Sequence, residues 1–322
     1  MQELESFLKE RYYFPRARHV EGRASIAGIY GKKNRCGIYV LRFLNGEVYA
    51  GKSTDVTRRY VQHRIIHNDI SHISFKRVPK SRLSAEEKAV ISGLEDQDFT
   101  LRNIALTSIP KGVSDFDLVM PLAEQDEWVQ THDAPLLTGT RIQDETLRQK
   151  YQKRFKTLAS KPYAEESTEF LRRYVQLGLP VPIESEYSFW SCSCLPTYST
   201  KHVTVYSRIN VYWQEVLTVI NEDNVLWFSF HLARSPLELE HGKSLDSLKR
   251  KHRSLQMGNY LYETGGSDQV HLEVQGYEAA CQLLKDPTVL TAIRLFNLRL
   301  IKKGLCNNRR YHCMDLADRL LG

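Results

Sequence analysis

The feature that most constrains this chain is Asn45-Gly46, set between two short runs rich in strand-forming residues, Gly37–Phe43 and Glu47–Ala50. Asn-Gly between such runs is the strongest short-range signal for a β-hairpin, because both residues tolerate the positive φ a tight turn requires. The loop length then decides which side chains meet. A plain two-residue turn pairs Leu44 with Glu47 and puts Tyr39 and Tyr49 on opposite faces of the sheet. A three-residue loop, Leu44-Asn45-Gly46, with Gly46 left-handed and a bulge beside it, shifts the pairing by one. Phe43 then faces Glu47, Leu41 faces Tyr49, and both tyrosines share a face. The bulged loop is the expectation here.

Downstream, Ser53 or Thr54 can cap a helix running to about Ile66. Arg59 and His63, four apart, lie on one face of it. Alternation predicts a third strand within residues 71–79, and a second helix follows near Ser84–Leu94. The series Gly37-Ile38-Tyr39, Tyr49-Ala50-Gly51, Arg59, His63, Glu87 and Asn103 resembles the GIY-YIG nuclease superfamily over roughly residues 30–110. Ala50 departs from the Ile or Val usual there, which bears on packing.

The resemblance implies a small domain with a central antiparallel sheet flanked by helices, and metal-dependent hydrolysis of DNA phosphodiester bonds. Tyr39 would serve as, or help position, the general base. A tyrosine of ordinary pKa near 10 is a poor base at neutral pH, so a nearby cation would have to favour the phenolate. Arg59 would offer its planar donors to phosphate oxygens. Tyr49 and His63 would bond the attacking water or the phosphate. Glu87 would hold Mg²⁺ (or Mn²⁺), with Glu86 as a fallback ligand. Lys52 and Arg58 would touch the DNA backbone.

Rival readings of the same residues stay open. Ser84-Ala85-Glu86-Glu87 is a capping box, in which Glu87 turns back to the Ser84 backbone. Gly46–Ser53 fits the phosphate-loop pattern of a nucleotide hydrolase, with Lys52 as its lysine. A third possibility is a catalytically silent nuclease fold that only binds nucleic acid. Asn103 can simply tie a loop. A second Gly-Ile-Tyr, Gly28–Tyr30, lies too far from Tyr49 and is not followed by a strand.

Charge is uneven. Residues 1–80 hold 16 Lys/Arg against 7 Asp/Glu, whereas the rest hold 29 against 31. A basic first quarter suits a polyanionic partner, here DNA. Six scattered cysteines make no disulfide framework, and Cys192, Cys194, His202, Cys306, His312 and Cys313 lack zinc-finger spacing. No apolar run is long enough for a membrane span, and the start of the chain lacks a signal-peptide core. An intracellular, cytoplasmic protein is expected, with a homodimer or a partner protein possible; cutting both DNA strands with one active site would require a dimer or sequential nicking.

The expected organisation is α/β. An N-terminal helix and basic arm (1–29) precede the nuclease-like domain (30–120). A helical connector (121–182) leads to a mixed α/β domain (183–322) suited to DNA target recognition. In that domain Lys249, Arg250 and Arg253 form a basic run, and Arg294, Arg299, Lys302, Lys303, Arg309 and Arg310 add further candidate phosphate contacts.

Overall fold

The computed structural model describes residues 2–103, 106–110, 114–133, 137, 139–196, 200 and 202–322. The chain divides into two compact units, 1–112 and 113–322. Each is mixed α/β and built on one antiparallel sheet; the described residues hold eleven α-helices.

Unit 1 runs α1 (Gln2–Tyr12), β1 (Arg18–His19), β2 (Gly37–Phe43), β3 (Val48–Ser53), α2 (Val56–Ile66), β4 (Ile70–Arg77) and α3 (Leu83–Asp96). The strand order is β1-β4-β2-β3. Strand β2 is central and buries side chains on both faces, as its nearly unbroken apolar run requires. Ile38 and Val40 pack with Leu4 and Leu8 of α1 and Val90 and Leu94 of α3. Tyr39, Leu41 and Phe43 pack on the other face with Val56 and Tyr60 of α2, Phe75 of β4, and Val20 and Ile26. The N-terminal helix and basic arm supply core side chains to both layers, Leu4, Leu8 and Phe14 to one and Val20 and Ile26 to the other.

The hairpin adopts the bulged register. Leu41 is the partner of Tyr49, and Tyr39 of Gly51. Phe43 N–H donates to Glu47 O at 3.0 Å, Gly46 N–H donates to Phe43 O at 3.1 Å, and Gly46 has φ +88°. Gly46→Ala is expected to destabilise unit 1 by about 1–2 kcal/mol in urea unfolding, because a Cβ is disfavoured at that φ. Gly46→Asn, which tolerates the left-handed region, should recover part of it. A cost no larger than that of an exposed control substitution would count against the strained-turn account.

Two caps differ from expectation. Helix α2 is capped by Asp55, whose carboxylate accepts from Thr57 and Arg58 N–H, rather than by Ser53 or Thr54. Helix α3 starts at Leu83, with Ser84 already inside it, so the capping box does not form. Asn103 clamps the outer edge of β3: its side-chain amide accepts from Ala50 N–H at 2.9 Å and donates to Ala50 O at 2.6 Å. It is a structural tie.

Unit 2 holds α4 (Leu122–Gln130), α5 (Glu145–Ala159), α6 (Ala164–Gly178), β5 (Trp190–Cys194), β6 (Val203–Val211), β7 (Gln214–Glu222), β8 (Val225–Leu232), α7 (Arg234–His241), α8 (Asp246–Lys251), β9 (Leu255–Met257), β10 (Val270–Gln275), α9 (Tyr277–Leu284), α10 (Pro287–Ile301) and α11 (Met314–Leu321). The sheet order is β5-β6-β7-β8-β10-β9. Residues 121–182 are not a connector. Leu147, Leu158, Phe170, Tyr174 and Val175 belong to the core of unit 2, and Phe170 packs 4.4 Å from Phe228. Polar outer faces gave this stretch its linker-like look, while its apolar stripes close the sheet.

Candidate active site

The tyrosine face of the unit 1 sheet gathers four of the expected residues. Tyr39, on central β2, is buried, and its hydroxyl lies 2.8 Å from His63 Nε2. Arg59 Nε donates to the same hydroxyl at 3.3 Å, and Arg59 Nη1 is held by Gln62 Oε1 at 2.9 Å. The Tyr39 and Tyr49 rings stack at 6.2 Å, and His63 stands edge-on to Tyr49 at 4.6 Å. The bulged hairpin brings Tyr49 to this face, and the i, i+4 spacing on α2 brings Arg59 and His63 over it.

Gly51 makes room for the cluster. A Cβ there would lie 2.5 Å from the Tyr39 hydroxyl and 2.9 Å from Tyr49 Cε1. The motif contains this glycine, but only the register shows that it faces the Tyr39 ring.

Burial pushes the Tyr39 phenol well above its ordinary range, and neighbouring Tyr49 adds to the rise. Arg59 opposes this without reversing it. The expected resident phenolate is therefore not what this site favours: desolvation outweighs one partly exposed guanidinium. His63 is pushed down to about 4, chiefly by burial, with Arg59 and His67 adding to the fall. A neutral His63 can accept at Nε2. The Tyr39 hydroxyl then receives from Arg59 and donates to His63, which satisfies it as both acceptor and donor.

This predicts an acid-sensitive unit. The folded His63 value of about 4 lies below the ordinary 6.5, so the unfolded chain binds that proton first. Stability is complete above about pH 6.5 and falls as pH drops towards 4. The window corresponds to about 3 kcal/mol at 1.36 kcal/mol per unit. His63→Gln should flatten the fall in urea unfolding of unit 1; an unchanged slope between pH 6.5 and 4 would rule His63 out as its source.

Glu87 projects from α3 to the edge of β3. Its Oε1 accepts from Lys52 N–H at 3.0 Å, and its Oε2 pairs with Lys52 Nζ at 3.0 Å. Lys52 Nζ also reaches Ser84 Oγ at 3.0 Å. Glu86, the fallback ligand, is instead engaged by Lys76 at 2.9 Å and by Arg82. Among the described residues no group of three or more His, Cys, Asp or Glu side chains is arranged so that it could hold a metal ion. A lone carboxylate is the least that a hard divalent cation keeping most of its waters would take from a protein. Both Glu87 oxygens are engaged by Lys52, so a cation at Oε2 would have to displace the Lys52 ammonium.

Gly46–Ser53 does not form a phosphate loop. Val48–Ser53 is strand, and the N–H groups of Val48, Ala50 and Lys52 are bonded to Thr100 O, Asn103 Oδ1 and Glu87 Oε1. No nest of free amides is left to cradle phosphates. Gly28–Tyr30 lies in a turn. Arg58 is exposed on α2.

In unit 2, Lys249, Arg250 and Arg253 share a shallow exposed surface with Asp246, which pairs with Lys249 at 3.5 Å. Arg294 is not available to phosphate. It is fully buried and donates to the carbonyls of Leu177, Trp128 and Asp133 at 2.6, 2.7 and 2.9 Å. Lys303 is likewise buried, donating to Thr264 O. Arg299 pairs with Asp268, and Lys302 with Asp117 at 3.6 Å. Arg309 and Arg310 are exposed. Cys192, Cys194 and Cys313 are buried thiols, and His312 is tied to Glu186 at 3.1 Å.

No helix among the described residues is long and apolar enough to cross a membrane. Comparison with family models, with curated proteins and with solved structures returns no match.

Proposed function

We propose that unit 1 is a metal-dependent endonuclease domain of the GIY-YIG type that hydrolyses DNA phosphodiester bonds, in a genome-defence, restriction or mobile-element role. The observation that carries this reading is the hydrogen-bonded Tyr39–His63–Arg59 cluster with Tyr49 stacked beside it. No purely structural need explains a buried tyrosine bonded to a neutral histidine and an arginine whose guanidinium reaches solvent.

In this reading Tyr39 is a relay rather than a resident base. As the attacking water gives its proton to the Tyr39 oxygen, the Tyr39 proton passes to His63 Nε2. No charged phenolate then has to persist in a buried site. Arg59, steadied by Gln62, offers donors to the non-bridging oxygens, where negative charge grows. Glu87 would hold Mg²⁺ or Mn²⁺, which supplies charge neutralisation at the scissile phosphate. The surface carrying Lys249, Arg250 and Arg253 contributes phosphate contacts that position DNA without reading sequence.

The test is nicking of supercoiled plasmid by the full chain, with and without Mg²⁺, comparing wild type with Glu87→Ala, Arg59→Ala and Lys52→Ala. Tight, salt-dependent DNA binding without cleavage of any substrate favours the silent binding module instead.

A further inference from the structure

We propose that a cleft beside the tyrosine cluster receives an unpaired nucleotide of the DNA, its base stacked on Tyr13 and Tyr30 and its phosphate held by Arg16, Arg18 and Arg77. The proposal deepens the nuclease reading and rests on it for the identity of the polymer. The cleft, of about 460 Å³, has these five residues and Phe75 in its lining, together with Lys76, whose ammonium is paired with Glu86. Phe75, on β4, is the strand partner of Tyr39, and the Tyr30 ring stands edge-on to it at 5.0 Å. The cleft thus begins one strand away from the reactive tyrosine.

Two observations point to a ligand. Arg16, Arg18 and Arg77 are exposed, and none forms an ion pair with a carboxylate among the described residues. Three unneutralised guanidinium groups around one cleft make a site for a polyanion. The second observation is Tyr13. It closes α1 in a left-handed conformation, φ 60°, where Tyr13 N–H donates to Lys9 O and Phe14 N–H to Leu8 O. Glycine suits that position best. A tyrosine there is strained, and it stands 80% exposed, burying almost nothing in return. Folding does not account for it, but a base-stacking role does. Aromatic faces interleaved with cations bind single strands, whose bases are free to stack, better than they bind a closed duplex.

Tyr13→Gly separates function from folding, because it removes the aromatic face while relieving the backbone. The experiment measures binding of the full chain to a fluorescent oligo-dT and to a duplex of equal length, in EDTA so that nothing is cut. Wild type should bind oligo-dT. Tyr13→Gly should keep or raise Tm, weaken oligo-dT binding roughly tenfold, and change duplex binding less than about twofold. Arg16→Ala combined with Arg77→Ala should make the salt dependence of oligo-dT binding shallower by about 1.4 in log–log slope. Wild type that ignores oligo-dT, or a folded Tyr13→Gly protein that binds it as tightly as wild type, overturns the proposal. Failure of the nuclease reading shows separately, as oligo-dT binding intact in a wild type that nicks nothing with Mg²⁺.

Discussion

Glu87→Gln is expected to lower Mg²⁺-dependent nicking of plasmid by about 10²–10³-fold while leaving the fold of unit 1 intact. The glutamine keeps an oxygen for the Lys52 N–H that Glu87 Oε1 now accepts, and loses only the charge opposite Lys52 Nζ. Glu87→Ala should lose activity to the same extent and also cost about 1 kcal/mol, because the partly buried Lys52 amide is orphaned. Lys52 is the informative control. A phosphate-loop enzyme would be inactivated by Lys52→Met. If Glu87 holds the cation as proposed, Lys52 neutralises the oxygen that the cation would use, so Lys52→Met should still nick and should reach half-maximal rate at lower Mg²⁺. Cleavage by Glu87→Gln at the wild-type rate would remove Glu87 from the metal site.

Gly51→Ala should damage the tyrosine cluster directly. The added Cβ would sit 2.5 Å from the Tyr39 hydroxyl and 2.7 Å from its Cζ. Tyr39 is 1% exposed, so its ring cannot retreat without disturbing His63 and Arg59. A displacement of about 1 Å at a reacting group costs on the order of 10²-fold in rate. Overpacking adds about 1–3 kcal/mol of destabilisation. A double-mutant cycle separates the two effects. Tyr39→Phe removes the hydroxyl the methyl strikes, so in that background Gly51→Ala should cost less stability, with activity absent throughout. If Gly51→Ala nicks DNA as wild type does, the packed tyrosine cluster is not the reacting centre.

Much of unit 1 was legible because its signals are local. Asn45-Gly46 and the strand runs on either side define the hairpin, and i, i+4 spacing places Arg59 and His63 together. Requiring both tyrosines on one face selected the bulged loop that the register shows. Other matters were undecidable along the chain. Glu87 had two readings compatible with its spacing, a capping box with Ser84 and a metal ligand. Where α3 begins excludes the cap, and the bond from Lys52 N–H that Glu87 accepts at the β3 edge was not legible along the chain. The basic residues of α10 carry the same pattern as a solvated face, yet Arg294 is buried among carbonyls while Arg309 and Arg310, beyond the helix, are exposed.

The sequence by itself determined the hairpin, the composition of the tyrosine cluster and the basic bias of the first quarter. Turn chemistry, side-chain periodicity and charge are properties of neighbours in the chain. Only the tertiary structure decided the protonation balance at Tyr39 and His63, the pairing of Glu87 with Lys52, the place of residues 121–182 in a core and the cleft beside β4. Burial and cross-chain contact set each of these. They arise when segments distant in sequence exclude water from one another.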